Sequence, residues 1–178
     1  NFVLGMDSDQ GAEPFELTKR FIDLAPAAFP AYSLLSAFGR AAPINLDYQR
    51  EGRVLPFPFH VVNNSQSMNV RPRHYSWTEF YDRLVDLTAY SFSWRAIGKR
   101  LAASERFIPR WMNVLRGISS EGFGRTRYHR TIRRLLDTDP SFRGFMEGES
   151  DRIPEFYLSL IRRELGPLYA YLPDGALV

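Results

Sequence analysis

Apolar positions along this chain fall into two short continuous runs near the amino end and into helical spacing almost everywhere else. Phe2-Val3-Leu4 is unbroken by polar residues and closes at Gly5-Met6. A run this short and this apolar predicts a buried strand of parallel type rather than a half-solvated one. Asp7-Ser8-Asp9-Gln10-Gly11 carries turn chemistry. Glu13-Pro14 then opens a helix in which Phe15, Thr18, Phe21, Ile22 and Leu24 recur at three-to-four spacing, and Pro26 stops it. Proline suits the first helical turn, and Glu13 and Glu16 suit its positive dipole end. Ala31 to Leu35 predicts a second strand, bounded by Pro30 and the turn Ser36-Ala37-Phe38-Gly39. Strand, helix and strand over this span have the spacing of a right-handed crossover between parallel strands.

After Gly39 the pattern changes. Ile44 to Glu51 predicts a short helix with Gly52 past its end. Val54 to His60 is extended and interrupted by Pro56 and Pro58. Val61 to Asn64 and Met68 to Arg73 read as irregular strand or loop. Ser76 with Glu79 three residues on forms a capping box for a helix from Trp77 to about Phe92. Helical spacing continues over Ser93–Ala103, Glu105–Gly117, Gly124–Leu136 and Pro154–Leu165, separated by turn signals at Gly117, Gly122, Gly124, Asp139-Pro140 and Gly148. The expected fold class is therefore α/β followed by all-α, with no internal repeat. The expected division is an α/β part over 1–60, an irregular linker over 61–75 and a helical domain over 76–178.

Composition narrows the function classes. In 178 residues, 44% are hydrophobic and 24% charged, which excludes disordered, collagenous and low-complexity chains. Cysteine is absent, so no disulfide, cysteine nucleophile, cysteine zinc site or iron–sulfur ligation resides in this chain. No apolar run approaches the roughly 20 residues of a membrane span, and no signal-peptide pattern opens the chain. The expected compartment is the cytoplasm. The chain starts at Asn1 and enters the strand-like run at once, so we read it as a piece of a longer protein.

The net charge of +3 is unevenly placed. Between Trp94 and Arg134 stand eleven basic residues against only Glu105 and Glu121. Arginine suits planar contact with phosphate or carboxylate. The 94–134 region reads either as a solvated basic face that meets an acidic surface, or as a site for nucleic acid or an anionic membrane. Base stacking would also need exposed aromatics, for which Trp94-Arg95 and Arg110-Trp111 are the candidates.

Four blocks, in order, carry a family resemblance. Phe2-Val3-Leu4-Gly5-Met6-Asp7-Ser8-Asp9 resembles the strand end F-x-x-G-x-D-S-D of radical S-adenosylmethionine enzymes, particularly those with a cobalamin-binding domain. Tyr32-Ser33-Leu34-Leu35-Ser36-Ala37-Phe38-Gly39 corresponds to the family's L-L-T-P-F-P-G-T-P-L. Glu51-Gly52-Arg53-Val54-Leu55 resembles E-G-R-I-L, and Asn69 to Ser76 resembles V-x-F-R-P-K-x-M-S. The resemblance covers roughly the first half of the chain. It implies the last strands of a partial (β/α) barrel with a carboxyl-terminal helical appendage, in an enzyme of radical methylation, cyclisation or another oxidoreductive rearrangement. Its cofactors would be S-adenosylmethionine and a 4Fe–4S cluster, with cobalamin as a further candidate, and its partners the remainder of the parent chain and a small or lipid-like substrate. The cluster motif C-x-x-x-C-x-x-C is missing here, so this chain alone is expected to bind no cofactor and to be inert. The family's proline–glycine turn is replaced by Ala37-Phe38-Gly39-Arg40.

By the same resemblance, Asp7, Ser8, Asp9 and Ser36 would border the cofactor, and Arg40, Asn64 and Arg71 the substrate; no residue is assigned a catalytic role. Two readings of the first group stay open. Asp7 and Asp9 suit metal or acid–base work, as paired carboxylates tune one another, while Asp7 or Ser8 equally suits capping of the turn. His60, His74 and His129 match no metal spacing. A self-contained hydrolase using Asp7, Asp9 or His60 lacks a nucleophile elbow, a phosphate loop and a triad.

Overall fold

The computed structural model describes residues 1–63, 67–173 and 175–176. The element order is β1 (Phe2–Leu4), α1 (Glu13–Leu24), β2 (Tyr32–Leu34), α2 (Pro43–Arg50), α3 (Phe59–Asn63), α4 (Trp77–Ser91), α5 (Trp94–Ala103), α6 (Phe107–Ile118), a π-helical turn over Ser120–Gly124, α7 (Arg125–Thr138), α8 (Pro140–Glu147), α9 (Glu155–Leu165) and a 3-10 turn over Gly166–Tyr171.

The leading strand–helix–strand is present, and β1 and β2 pair in parallel. Phe2 N donates to Ala31 O at 2.9 Å, and the Phe2 ring stacks on Tyr32. The expectation of barrel strands with a helical appendage is nevertheless overturned. Among the described residues the structure is mostly helical (61%), its sheet has two strands, and it is not a partial barrel. The physical reason is local. Each strand is three residues long, and the next extended stretch is broken by Pro56 and Pro58, which cannot donate to a ladder. That stretch contributes a single antiparallel bridge, Val54 with Val70.

Two further expectations change for similar reasons. Pro58 not only ends the extended stretch but opens a helix: its carbonyl accepts from Val61 N and Val62 N and so starts α3. Asp139-Pro140, expected as a turn, begins α8. The Asp139 carboxylate accepts from Ser141 N at 2.9 Å and Phe142 N at 3.0 Å, with Pro140 in the first turn. Ser76 caps α4 as expected by accepting from Glu79 N, but the Glu79 carboxylate is held by Arg83.

The chain forms two compact units, each discontinuous in sequence: Asn1–Tyr32 with Pro72–Asp137, and Ser33–Arg71 with Thr138–Val178. In the first unit α4 buries Phe80, Tyr81, Leu84 and Leu87. Phe80 meets Phe15 of α1 edge-on, and Tyr81 meets His129 of α7. In the second unit Phe57 packs on Phe145 and Tyr157, and Tyr157 on Phe142, which ties α8 and α9 to the proline-rich stretch.

A buried arginine organises the first unit. Arg100 of α5 is 1% exposed, yet no carboxylate pairs with it among the described residues. Its Nη2 donates to Ser91 O at 2.6 Å and its Nε to Ala28 O at 3.3 Å, while the guanidinium lies over Phe29 and Phe92. The guanidinium thereby satisfies the Ser91 carbonyl at the end of α4 and also reaches the Ala28 carbonyl in the turn before β2. Tyr32 completes the cluster: its hydroxyl lies 2.5 Å from Ser91 Oγ, which donates onward to Leu87 O.

Burial pushes the Tyr32 phenol up to about 12, against the counteracting Ser91 hydrogen bond and the Arg100 and Arg125 charges. The unfolded phenol ionises near 10.0. The unfolded chain therefore releases this proton first, and the contribution to stability is complete below pH 10 and lost as the pH rises towards about 12. We expect Tyr32→Phe to flatten the alkaline loss of stability; urea midpoints of both proteins at pH 9 and pH 11 check it, and an unchanged difference between the two pH values would contradict it.

Candidate functional site

Of the candidate site residues, Asp7, Ser8, Asp9, Ser36 and Arg71 stand in the four blocks and Arg40 and Asn64 outside them; several of the blocks' polar side chains hold backbone. At the carboxyl end of β1, Gly5 N and Met6 N donate to Asp9 Oδ2 at 2.9 and 3.1 Å, and Asp9 N donates back to Met6 O at 2.9 Å. The capping group of this turn is thus Asp9. Asp7 stands 3.4 Å from Arg73 Nε, and Ser8 is exposed. Farther along the same loop, Gly11 O accepts from the Tyr75 hydroxyl at 3.0 Å. The first and fourth blocks therefore meet within one unit through Asp7 and Arg73.

In the second unit the remaining pieces interlock. Asn69 is 4% exposed. Its Oδ1 accepts from Ala37 N and its Nδ2 donates to Ala37 O, both at 2.8 Å. One side-chain amide thus does for Ala37 what a neighbouring strand would do. Arg53 donates twice to Arg71 O, at 2.9 and 2.8 Å, pairs with Glu51, and lies 5.0 Å from the Tyr48 ring centroid. Arg71 donates to Glu147 O at 3.1 Å and Gly52 O at 2.9 Å. Gly52 has φ +63°, which a residue with a Cβ adopts at a cost. Ser36 is half-buried beside Ala37 and Arg40 is exposed. Asn45 and Gln49 of α2 donate to Phe38 O and Gly39 O and fix the loop that carries Arg40. Asn64 lies outside the described residues.

His60 Nε2 lies 2.8 Å from a Glu164 carboxylate oxygen on α9. His74 is exposed, and His129 is buried against Tyr81 and Tyr128. Among the described residues no three histidine or carboxylate side chains come together in a metal-binding group.

The basic region is only partly a solvated face. Arg100, Arg110 and Arg125 donate to backbone carbonyls of Ser91, Ser104 and Tyr32. Lys99 pairs with Asp23, Arg116 with Glu121, and Arg133 with both Asp82 and Asp137. The hydrogen bonds from Lys99 and from the Tyr90 hydroxyl hold the Asp23 carboxyl below its usual range. The side chains of Arg106, Arg127 and Arg130 are exposed and make no hydrogen bond or ion pair among the described residues. Arg127 and Arg130 line a groove of about 470 Å³ with Trp94 and Phe123, whose rings meet edge-on at 5.2 Å.

The roles of Asn69, Arg53 and Arg100 escape a reading by composition. The available signal for Asn69 was a lone amide between Met68 and Val70, both fully buried. The chain matches no protein-family model, no curated protein and no solved structure.

Because one carboxylate oxygen of Asp9 holds two amides, Asp9→Ala is expected to speed hydrogen exchange at Gly5 and Met6 by about tenfold, a loss of ~1 kcal/mol. Asp7→Asn leaves those two amides unchanged. Residue-resolved exchange measurements decide it, and equal protection in all three proteins would remove the capping role.

Proposed function

We propose that this chain is the carboxyl-terminal part of a radical S-adenosylmethionine enzyme and that it shapes a substrate site rather than performing bond chemistry. The carrying observation is that the four ordered blocks are physically interlocked by their own distinctive residues. Asp9 closes the turn after β1, and Asp7 meets Arg73. Asn69 clamps Ala37, and Arg53 and Arg71 tie the third block to the fourth. Within each unit these residues hold neighbouring blocks together, which favours a common origin for the blocks over chance matches.

In this reading the reactive iron–sulfur cluster is held by cysteines elsewhere in the parent protein, since this sequence has none. Hydrogen-atom abstraction belongs to the cofactor, and the protein supplies orientation and exclusion of water. Asp9 and the amides it holds give the loop after β1 a fixed shape at a position suited to border S-adenosylmethionine. Arg40, exposed on a loop braced by α2, is the side chain offered to substrate. The reaction is a methylation, cyclisation or related rearrangement of a hydrophobic substrate in the cytoplasm.

The whole reading frame, produced anaerobically, tests this. The expected results are about four iron atoms per chain and formation of 5′-deoxyadenosine from S-adenosylmethionine on reduction. Asp9→Ala is expected to weaken S-adenosylmethionine binding while iron content stays constant. A reading frame without a three-cysteine cluster motif, or a reduced protein that leaves S-adenosylmethionine intact, would overturn the proposal.

A further inference from the structure

Helix α6 is mounted with its polarity reversed relative to an ordinary surface helix. Its inward side is polar or small. Asn113 donates to Ser104 Oγ, Arg110 donates twice to Ser104 O, and Gly117 is buried. A Cβ at Gly117 would come within 2.9 Å of Ile97 on α5, so the two helices meet closely there. The outward side carries Phe107, Ile108, Trp111, Met112, Leu115 and Ile118. Their exposure runs from 44% at Ile118 to 74% at Ile108. At 100° per residue these six positions span an arc of about 140° with no polar residue within it. A helix turned this way exposes its apolar arc to water unless something covers it.

We propose that this arc docks on an anionic lipid surface, with α6 lying in the plane of the headgroup–acyl boundary. Three features favour a bilayer as the occupant. The arc is made of Phe, Trp, Leu, Ile and Met, the side chains that partition into that boundary. It lies in the same unit as exposed arginines whose side chains carry no ion pair among the described residues, so an anionic surface is the electrostatic complement. Arg106 at the start of α6, with Arg127 and Arg130 on α7, is exposed and without an ion pair among the described residues. A second copy of the chain is disfavoured because pairing this face with itself would bring the unpaired arginines of two copies, Arg106 first among them, towards one another. No helix of the described chain is long and apolar enough to cross a membrane, so the contact is one of lying on the surface. The inference does not rest on the radical chemistry proposed above.

The test is flotation and sedimentation of the 178-residue chain with vesicles of phosphatidylcholine alone and of phosphatidylcholine with phosphatidylglycerol at three to one. The expected result is binding to the anionic vesicles, weakened by added salt, with a blue shift of tryptophan emission. Leu115→Glu is expected to reduce binding about tenfold, since an interfacial apolar contact is replaced by a charge. Leu115 is 55% exposed, so its melting temperature should match that of the parent chain. Trp111→Ala serves as the second variant if the first fails to fold. Absence of binding to anionic vesicles, or binding indifferent to both substitutions, overturns the proposal. So does a dimer in sedimentation equilibrium that Leu115→Glu dissociates, which would assign the arc to a second copy.

Discussion

A guanidinium that holds backbone carbonyls is the interaction on which this protein most depends. Arg100 is the extreme case, buried without a carboxylate and satisfying Ser91 O and Ala28 O between two phenylalanine rings. Arg125 does the same for Tyr32 O, Arg110 for Ser104 O, Arg53 for Arg71 O, and Arg71 for Gly52 O and Glu147 O. The need arises at the ends of the elements. Helices that end at or near Ser91, Ser104, Glu147 and Gly52, and a strand of three residues at Tyr32, leave carbonyls that no helix or ladder partner reaches. Arginine is the side chain suited to them, because it is permanently charged, weakly hydrated for an ion, and offers several donors in one plane. Burying it without a counter-charge is costly, and the aromatic faces and carbonyl dipoles offset that cost.

This use of arginine changes what the charge distribution means. The excess of basic residues between Trp94 and Arg134 looks like a recognition surface when counted along the chain. Much of it is instead internal scaffolding or is neutralised by Asp23, Asp82, Glu121 and Asp137. The exposed side chains of Arg106, Arg127 and Arg130, which have no ion pair among the described residues, are the ones placed to meet an external anion. The apolar arc of α6 lies in this same segment, and the polar inward face that docks it is itself anchored by an arginine on the Ser104 carbonyl.

The blocks that resemble a known enzyme family have a comparable lesson. Their polar residues are not presented to an open site one by one. Asp9, Asn69, Arg53 and Arg71 fix turns and substitute for missing strand neighbours. Such residues hold the shape of the backbone, so their replacement would displace neighbouring loops.

The sequence by itself determined what is local. The apolar run before Gly5, the prolines that stop or start helices, the Ser76 cap and the glycine after α2 were legible because short-range sterics and capping decide them. The turn at Asp7 to Asp9 was legible as a turn, though not the choice of Asp9 as its capping group. Pro58 and Pro140 were legible as breaks but not as the helix starts they also favour. Only the tertiary structure decided which distant carbonyls the arginines reach, that Asn69 stands in for a strand beside Ala37, that the two strands acquire no further neighbours among the described residues, and that α6 turns its polar side inward. Those outcomes depend on partners tens of residues apart, and periodicity identifies the apolar side of a helix without saying which side the rest of the molecule will bury.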